Sequence, residues 1–139
     1  LMSTPHLDAN VLIRFLTGDH LDHQARAHAL LERVQRGELM LRVTESVVAE
    51  VVFVLSSPRL YHLPRPKIQA LLSPLLALRH LRVQNRRTIL SALALYTRTP
   101  ALNFGDCLLV AHAQRAGARE IYSFDRGFDR IAHITRLEP

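Results

Sequence analysis

The sequence predicts an α/β protein with a short central parallel sheet of about five strands, covered by helices. Three observations predict it. Brief apolar runs of strand length alternate with helical lengths of chain, the pattern of βαβ units. Glycines and prolines mostly punctuate these segments, where chain breaks belong. Aspartates stand just after two of the strand-like runs, at Asp8 and Asp125, and parallel sheets gather ligands at strand carboxyl ends.

The elements follow in order. Pro5 to Leu7 reads as a first strand ending at Asp8, with a helix from about Asn10 to Leu16. Gly18 breaks that helix, and Asp19 or Asp22 is the expected cap of a second one running to about Arg36. Gly37 stops it, because a left-handed residue closing a helix is most often glycine. Leu39 to Val43 is a second strand, after which Thr44 caps a helix through Leu55 and Ser56, Ser57 and Pro58 end it. Pro64 and Pro66 precede a helix from Lys67 to Leu78, which Pro74 could kink. Leu81 to Val83 is a third strand. Arg86 to Thr97 has Ile89, Leu90, Leu93 and Tyr96 at helical spacing. Asp106 is expected to open the next helix and Gly117 to close it. Ile121 to Phe124 and Ile134 to Leu137 complete the strands.

The chain has 139 residues, enough for one domain with a real core, expected over residues 5–139 with Leu1 to Thr4 as an extension. A lone cysteine, Cys107, excludes an internal disulfide framework and a Cys-based zinc site, in keeping with a reducing cytoplasm. No run is long and apolar enough for a membrane span, and no cationic start leads into a signal-like apolar region. Net charge is +6. Nearly all the cations are arginines, since Lys67 is the only lysine, and they are dispersed along the chain. Such a balance favours a folded surface for nucleic acid, an anionic membrane or an acidic protein.

Against this basic background four acids stand in or beside apolar runs: Asp8 in HLDANVL, Glu50 in VVAEVVFVL, Asp106 in FGDCLLV and Asp125 in IYSFDRG. Taken singly, Asp8 and Asp106 have a plain reading as helix caps, and Asp125 as a turn residue. Asp129, flanked by Arg126 and Arg130, reads as solvated. On a helix Glu50 has Ser46, Val47, Phe53 and Val54 three and four residues away, and on a strand Val48 and Val52 share its face. Either way the face is largely apolar, so it is expected to be part-buried and to need a partner. Taken together, the acids would repel one another unless a cation lay among them. Carboxylates without His or Cys suit Mg²⁺ or Mn²⁺ and match zinc poorly. His20 and His23 lie in a polar helix start, and no HExxH, GxSxG, Walker-type loop or GxGxxG occurs. Zincins, serine hydrolases, P-loop enzymes and dinucleotide-binding domains are therefore disfavoured.

LDANVLIRFL, TESVVAEVVFVL, FGDCLLVAHA and SFDRGFDRI resemble the successive motifs of PIN-domain ribonucleases, in particular VapC-type toxins of bacterial toxin–antitoxin pairs. The resemblance runs from His6 to near the end of the chain, with the motifs in order. It implies a PIN-like three-layer α/β/α fold and identifies Asp8, Glu50, Asp106 and Asp125 with the family's acidic quartet. Asn10 and Ser123 match polar positions that support it, and Thr44 matches the hydroxyl opening the Glu50 helix. The implied activity is endonucleolytic cleavage of RNA with Mg²⁺ or Mn²⁺, leaving 5′-phosphate and 3′-hydroxyl ends. Asp8, Asp106 and Asp125 would be the main ligands and Glu50 would complete the set, while Arg14 and Arg126, nearest in sequence, would grip flanking phosphates. Implied partners are a small VapB-type antitoxin and a second copy in a homodimer. The apolar stretches Val51 to Leu55 and Ile68 to Leu78 suit such interfaces. The competing reading is a non-catalytic RNA- or protein-binding module on the same fold. A phosphotransfer receiver fits poorly, because Lys67 is misplaced for it.

Overall fold

The computed structural model describes residues 3–139; of the expected extension, Leu1 and Met2 lie outside the described residues. The chain forms two compact units, one ending at Arg86 and the other running from Arg87 to Pro139.

The first unit holds α1 (Ala9–Leu16), α2 (Leu21–Gln35), β1 (Leu41–Val43), α3 (Glu45–Ser56), α4 (Arg65–Leu76) and β2 (Leu81–Val83). β1 and β2 pair in parallel, with Leu41 opposite Leu81 and Val43 opposite Val83. The segment expected as a first strand contributes one parallel bridge, His6 to Arg42. Leu7 N–H donates to the Arg42 carbonyl and Arg42 N–H to the Pro5 carbonyl, each at 2.8 Å. Pro5 has no N–H to extend the ladder.

Helix ends follow local chemistry. Thr44 caps α3 as expected, its Oγ1 accepting from Val47 N–H at 3.3 Å. The cap of α2 is His20, whose Nδ1 accepts from His23 N–H at 3.1 Å, and neither Asp19 nor Asp22 takes that role. Asp19 is engaged elsewhere, by Arg14, Thr17 and Tyr61. Gly37, at φ +77°, closes α2 with Gly37 N–H on Val34 and Glu38 N–H on Arg33, the paired bonds of a Schellman end. α4 starts at Arg65 and takes in Pro66, where an absent N–H loses nothing; Pro74 lies inside it.

α1 packs on α2 and α3, and α3 packs on α4. α3 buries Val48, Val51, Val52 and Leu55, and α4 buries Ile68, Leu72, Leu75 and Leu76. Each such side chain contributes roughly 1.5–3 kcal/mol through burial. The apolar stretches Val51 to Leu55 and Ile68 to Leu78, expected to suit interfaces, are thus largely consumed inside the unit; on α3, Phe53 stays 71% exposed.

The second unit holds α5 (Arg86–Arg98, beginning at the boundary), α6 (Phe104–Arg115), β3 (Glu120–Tyr122), a 3-10 turn over Arg126–Arg130, and β4 (Thr135–Leu137). β3 and β4 pair in parallel with Ile121 opposite Arg136. Tyr96 of α5 meets Phe104 of α6 edge-on, with centroids 5.6 Å apart. β3 stops at Tyr122, two residues short of the expected Phe124, which is 78% exposed.

The protein is therefore mixed α/β with parallel pairing. The expected sheet of about five strands is corrected: among the described residues there are two sheets of two strands each. With three residues to a strand, a ladder has little length over which to recruit a further neighbour.

Candidate active site

Asp8 directly follows the bridged segment Pro5–Leu7 and precedes α1, with extended backbone at φ −78° and ψ 151°. It occupies the cap position, yet its side chain makes no cap hydrogen bond and is exposed. Capping does not account for this acid. With Asn10 and Arg14 it lines a groove of about 490 Å³ between α1 and α2, which Val11, His23 and Arg26 also border. Arg14 Nη1 is held by Asp19 Oδ1 at 3.2 Å, while its buried Nε has no partner. Asp19 is the hub of that corner, accepting from Tyr61 Oη at 2.8 Å and Thr17 Oγ1 at 3.1 Å. The Tyr61 hydroxyl is the main reason its carboxyl is held below the usual range, with partial burial opposing and Thr17 and Arg14 assisting.

Glu50 lies on α3 but is exposed, which corrects the part-buried placement. The buried stripe runs through Val48, Val51, Val52 and Leu55. At 100° per residue Glu50 falls on the opposite side of the helix. Its apolar neighbour Phe53 is itself solvent-facing, so an apolar sequence context did not mean an apolar environment.

In the second unit Asp106 sits on α6 but does not cap it. Asn103 is the cap, accepting from Asp106 N–H at 2.8 Å through Oδ1, and Asp106 Oδ2 accepts from Asn103 N–H at 3.2 Å. This reciprocal box uses one carboxylate oxygen and fixes the side chain. The N-x-x-D spacing of Asn103 and Asp106 carried that signal in the sequence. Asp125 follows β3 and does act as a turn residue, its Oδ1 accepting from Gly127 N–H at 2.8 Å. Its own N–H donates to Ser123 Oγ at 2.9 Å, so Ser123 orients the Asp125 backbone. Arg126 is exposed.

Two further residues shape this corner. A Cβ on Gly127 would lie 3.0 Å from the Ala101 carbonyl oxygen, 3.0 Å from Leu102 Cδ2 and 3.1 Å from Asp125 Oδ1. Arg136 donates to the Ser123 carbonyl at 3.0 Å, to Asp129 Oδ1 at 3.0 Å and to Glu138 Oε1 at 3.1 Å. The carboxylates, Asp129 first, raise its pKa above the ordinary guanidinium value. Asp129, expected to be simply solvated, is thus an ion-pair partner. Arg136 comes from the next strand, β4, and reaches back thirteen residues to Ser123, which helix or turn spacing could not reveal.

Each unit carries two of the expected acids: Asp8, Asp106 and Asp125 stand at or near the start of a helical element, and Glu50 lies in the middle of α3. Asp8, Asn10 and Arg14 are brought to one groove, and Ser123 to Asp125. Glu50 does not border that groove. Among the described residues of each unit taken by itself, no three His, Cys, Asp or Glu side chains are grouped closely enough to hold an ion. The donor chemistry nevertheless fits a hard divalent cation. Asp8 and Glu50 are exposed carboxylates, and each hydrogen bond described for Asp106 and Asp125 uses one oxygen.

The frame is mixed α/β with parallel strand pairs, and Asp8 and Asp125 stand just after strand-like segments. The PIN domain profile matches residues 6–134, and the chain belongs to the PIN-domain family. It is similar to the VapC ribonuclease of Aquifex aeolicus (strain VF5), with 30% identity over 129 residues, 93% of each chain. No helix among the described residues is long and apolar enough to cross a membrane.

Proposed function

We propose that this protein is a metal-dependent endoribonuclease of the VapC type, the toxin half of a toxin–antitoxin pair. The observation that carries the reading is Asp8. Its carboxylate stands at a helix start without a capping bond, beside Asn10 and Arg14 in an open groove, within a chain that belongs to the PIN family. Asp8 and Glu50 of the first unit and Asp106 and Asp125 of the second are the acids of the reaction.

Mg²⁺ or Mn²⁺, when bound, supplies positive charge that stabilises the phosphoryl oxygens and lowers the pKa of water. The protein's own residues bind and orient. Asp8, Asp106 and Asp125 provide hard oxygen ligands, and Glu50 holds a water or completes the ligand set. The Asn103 box and the Ser123 and Gly127 bonds keep Asp106 and Asp125 from swinging away. Asn10 orients Asp8, Thr44 fixes the start of the helix carrying Glu50, and Arg14 and Arg126 meet flanking phosphates. The protein works in the cytoplasm as a homodimer, held in check by a small VapB-type antitoxin.

The test is brief expression of wild type and Asp8→Asn in cells, followed by mapping of new 5′-phosphate ends across the transcriptome. Discrete ends with wild type alone are the expected result. Identical end profiles for the two proteins would leave a binding module as the better account.

A further inference from the structure

One face of the sheet in the first unit is lined with basic side chains. Register pairs Arg42 with Arg82, and the parallel bridge pairs His6 with Arg42. Register partners leave a sheet on the same side. Alternation sends Leu7, Leu41, Val43 and Leu81 into the core. His6, Arg42 and Arg82 therefore form a row across three neighbouring segments, and all three are exposed. They line a cavity of about 410 Å³ shared with Thr44, Gln84 and Arg86.

The row is poorly explained by folding alone. Like charges directly opposed on adjacent strands repel, and neither guanidinium has a hydrogen-bond or ion-pair partner among the described residues. At the rim Arg86 is pinned through Nη2 to the carbonyls of Leu78 and Leu81, and its buried Nε has no partner. A local choice that weakens the sheet without local compensation marks a place where a ligand completes the structure.

We propose that the His6–Arg42–Arg82 row binds consecutive phosphates of a single RNA strand and leads it to Asp8. This rests on the ribonuclease reading. Asp8 lies two residues beyond His6 in extended chain, so it leaves on the same side, about 6.6 Å further along. Guanidinium groups bind phosphate through paired N–H donors, which suits an evenly spaced polyanion. An acidic protein segment is the weaker fit. Stable protein contacts centre on desolvated apolar or aromatic anchors, and the only apolar lining is Val43, which is buried, and Val83, which is half-buried.

The experiment is fluorescence anisotropy of a labelled single-stranded oligoribonucleotide with the full chain in EDTA, across a series of salt concentrations. Removing two phosphate contacts in Arg42→Gln/Arg82→Gln should lower the slope of log K against log salt by about 1.4, and weaken binding about twentyfold near 0.1 M salt. Arg42→Lys/Arg82→Lys should restore most of the slope, because lysine still neutralises phosphate as a point charge. Thermal melting should show the glutamine pair to be no less stable than wild type, since it relieves repulsion. An unchanged slope overturns the proposal. So does weakened binding of a labelled poly-glutamate peptide with RNA binding intact. Cleavage by wild type in Mn²⁺ is scored separately: its absence sinks the nuclease reading while the slope still judges the row.

Discussion

Gly127→Ala should damage activity more than stability, because the new methyl presses on the carboxylate of Asp125. Its Cβ would stand 3.1 Å from Asp125 Oδ1 and 3.0 Å from both the Ala101 carbonyl oxygen and Leu102 Cδ2. Leu102 is fully buried and the carbonyl is main chain, so neither moves readily. Asp125 is exposed and is the neighbour that yields, by a few tenths of an ångström. The 2.8 Å bond from Gly127 N–H to Asp125 Oδ1 is then distorted. Misplacement by 1 Å lowers enzymatic rates about 10²-fold, so this shift should lower kcat about tenfold. Overpacking costs about 1–3 kcal/mol, partly offset by about 0.4–1 kcal/mol from a stiffer unfolded chain. Net destabilisation of about 1 kcal/mol should lower Tm by about 3 °C. Steady-state RNA cleavage and thermal melting read the two effects, and a double-mutant cycle separates them. In an Asp125→Asn background, Gly127→Ala should still lower Tm but remove no further activity. Wild-type kcat in Gly127→Ala, or losses in kcat that multiply in the double variant, would refute the reasoning.

Three further outcomes are expected. Asp8→Asn should lower cleavage by at least about 10²-fold while changing unfolding free energy by less than about 0.5 kcal/mol, because the carboxylate makes no cap bond; denaturant melts with activity assays check both. Asn103→Ala should destabilise by about 1 kcal/mol through loss of the α6 cap, measured by urea unfolding. Asp19 is depressed chiefly by the Tyr61 hydroxyl, so its stabilising contribution is present above the ordinary carboxylate pKa and is lost as pH falls through the folded value. Tyr61→Phe should raise the Asp19 pKa in a ¹³C-detected carboxyl titration and shrink the fall in Tm between about pH 5 and about pH 2; an Asp19 titration identical to wild type contradicts that assignment.

What the sequence made legible was local. Most helix limits lay within two residues of expectation, since glycine stops such as Gly37 and caps such as Thr44 act within one turn. The brief third strand, Leu81 to Val83, was placed as found. Strand number was less legible, because pairing of three-residue segments depends on partners far along the chain. Glu50 shows another boundary. Its flanking valines were visible, but which face of α3 is inward depends on what packs there. Asp106 does not cap α6 because Asn103, three residues earlier, competes better for that position. Arg136 was invisible for a similar reason, since it reaches the Ser123 carbonyl and Asp129 only through folded geometry. Gly127 was legible as the turn partner two residues after Asp125, but its close approach to Ala101 and Leu102 was not.

The central claim is that acids from both units serve one metal-dependent ribonuclease reaction. Single-turnover cleavage of single-stranded RNA in Mn²⁺ tests it most directly, comparing wild type with Asp8→Asn from the first unit and Asp125→Asn from the second. Calorimetric Mn²⁺ binding is measured on the same samples. The account predicts cleavage by wild type, its loss in EDTA, and loss of both cleavage and Mn²⁺ binding in each variant. Wild-type cleavage by either variant, or cleavage that persists in EDTA, would contradict it.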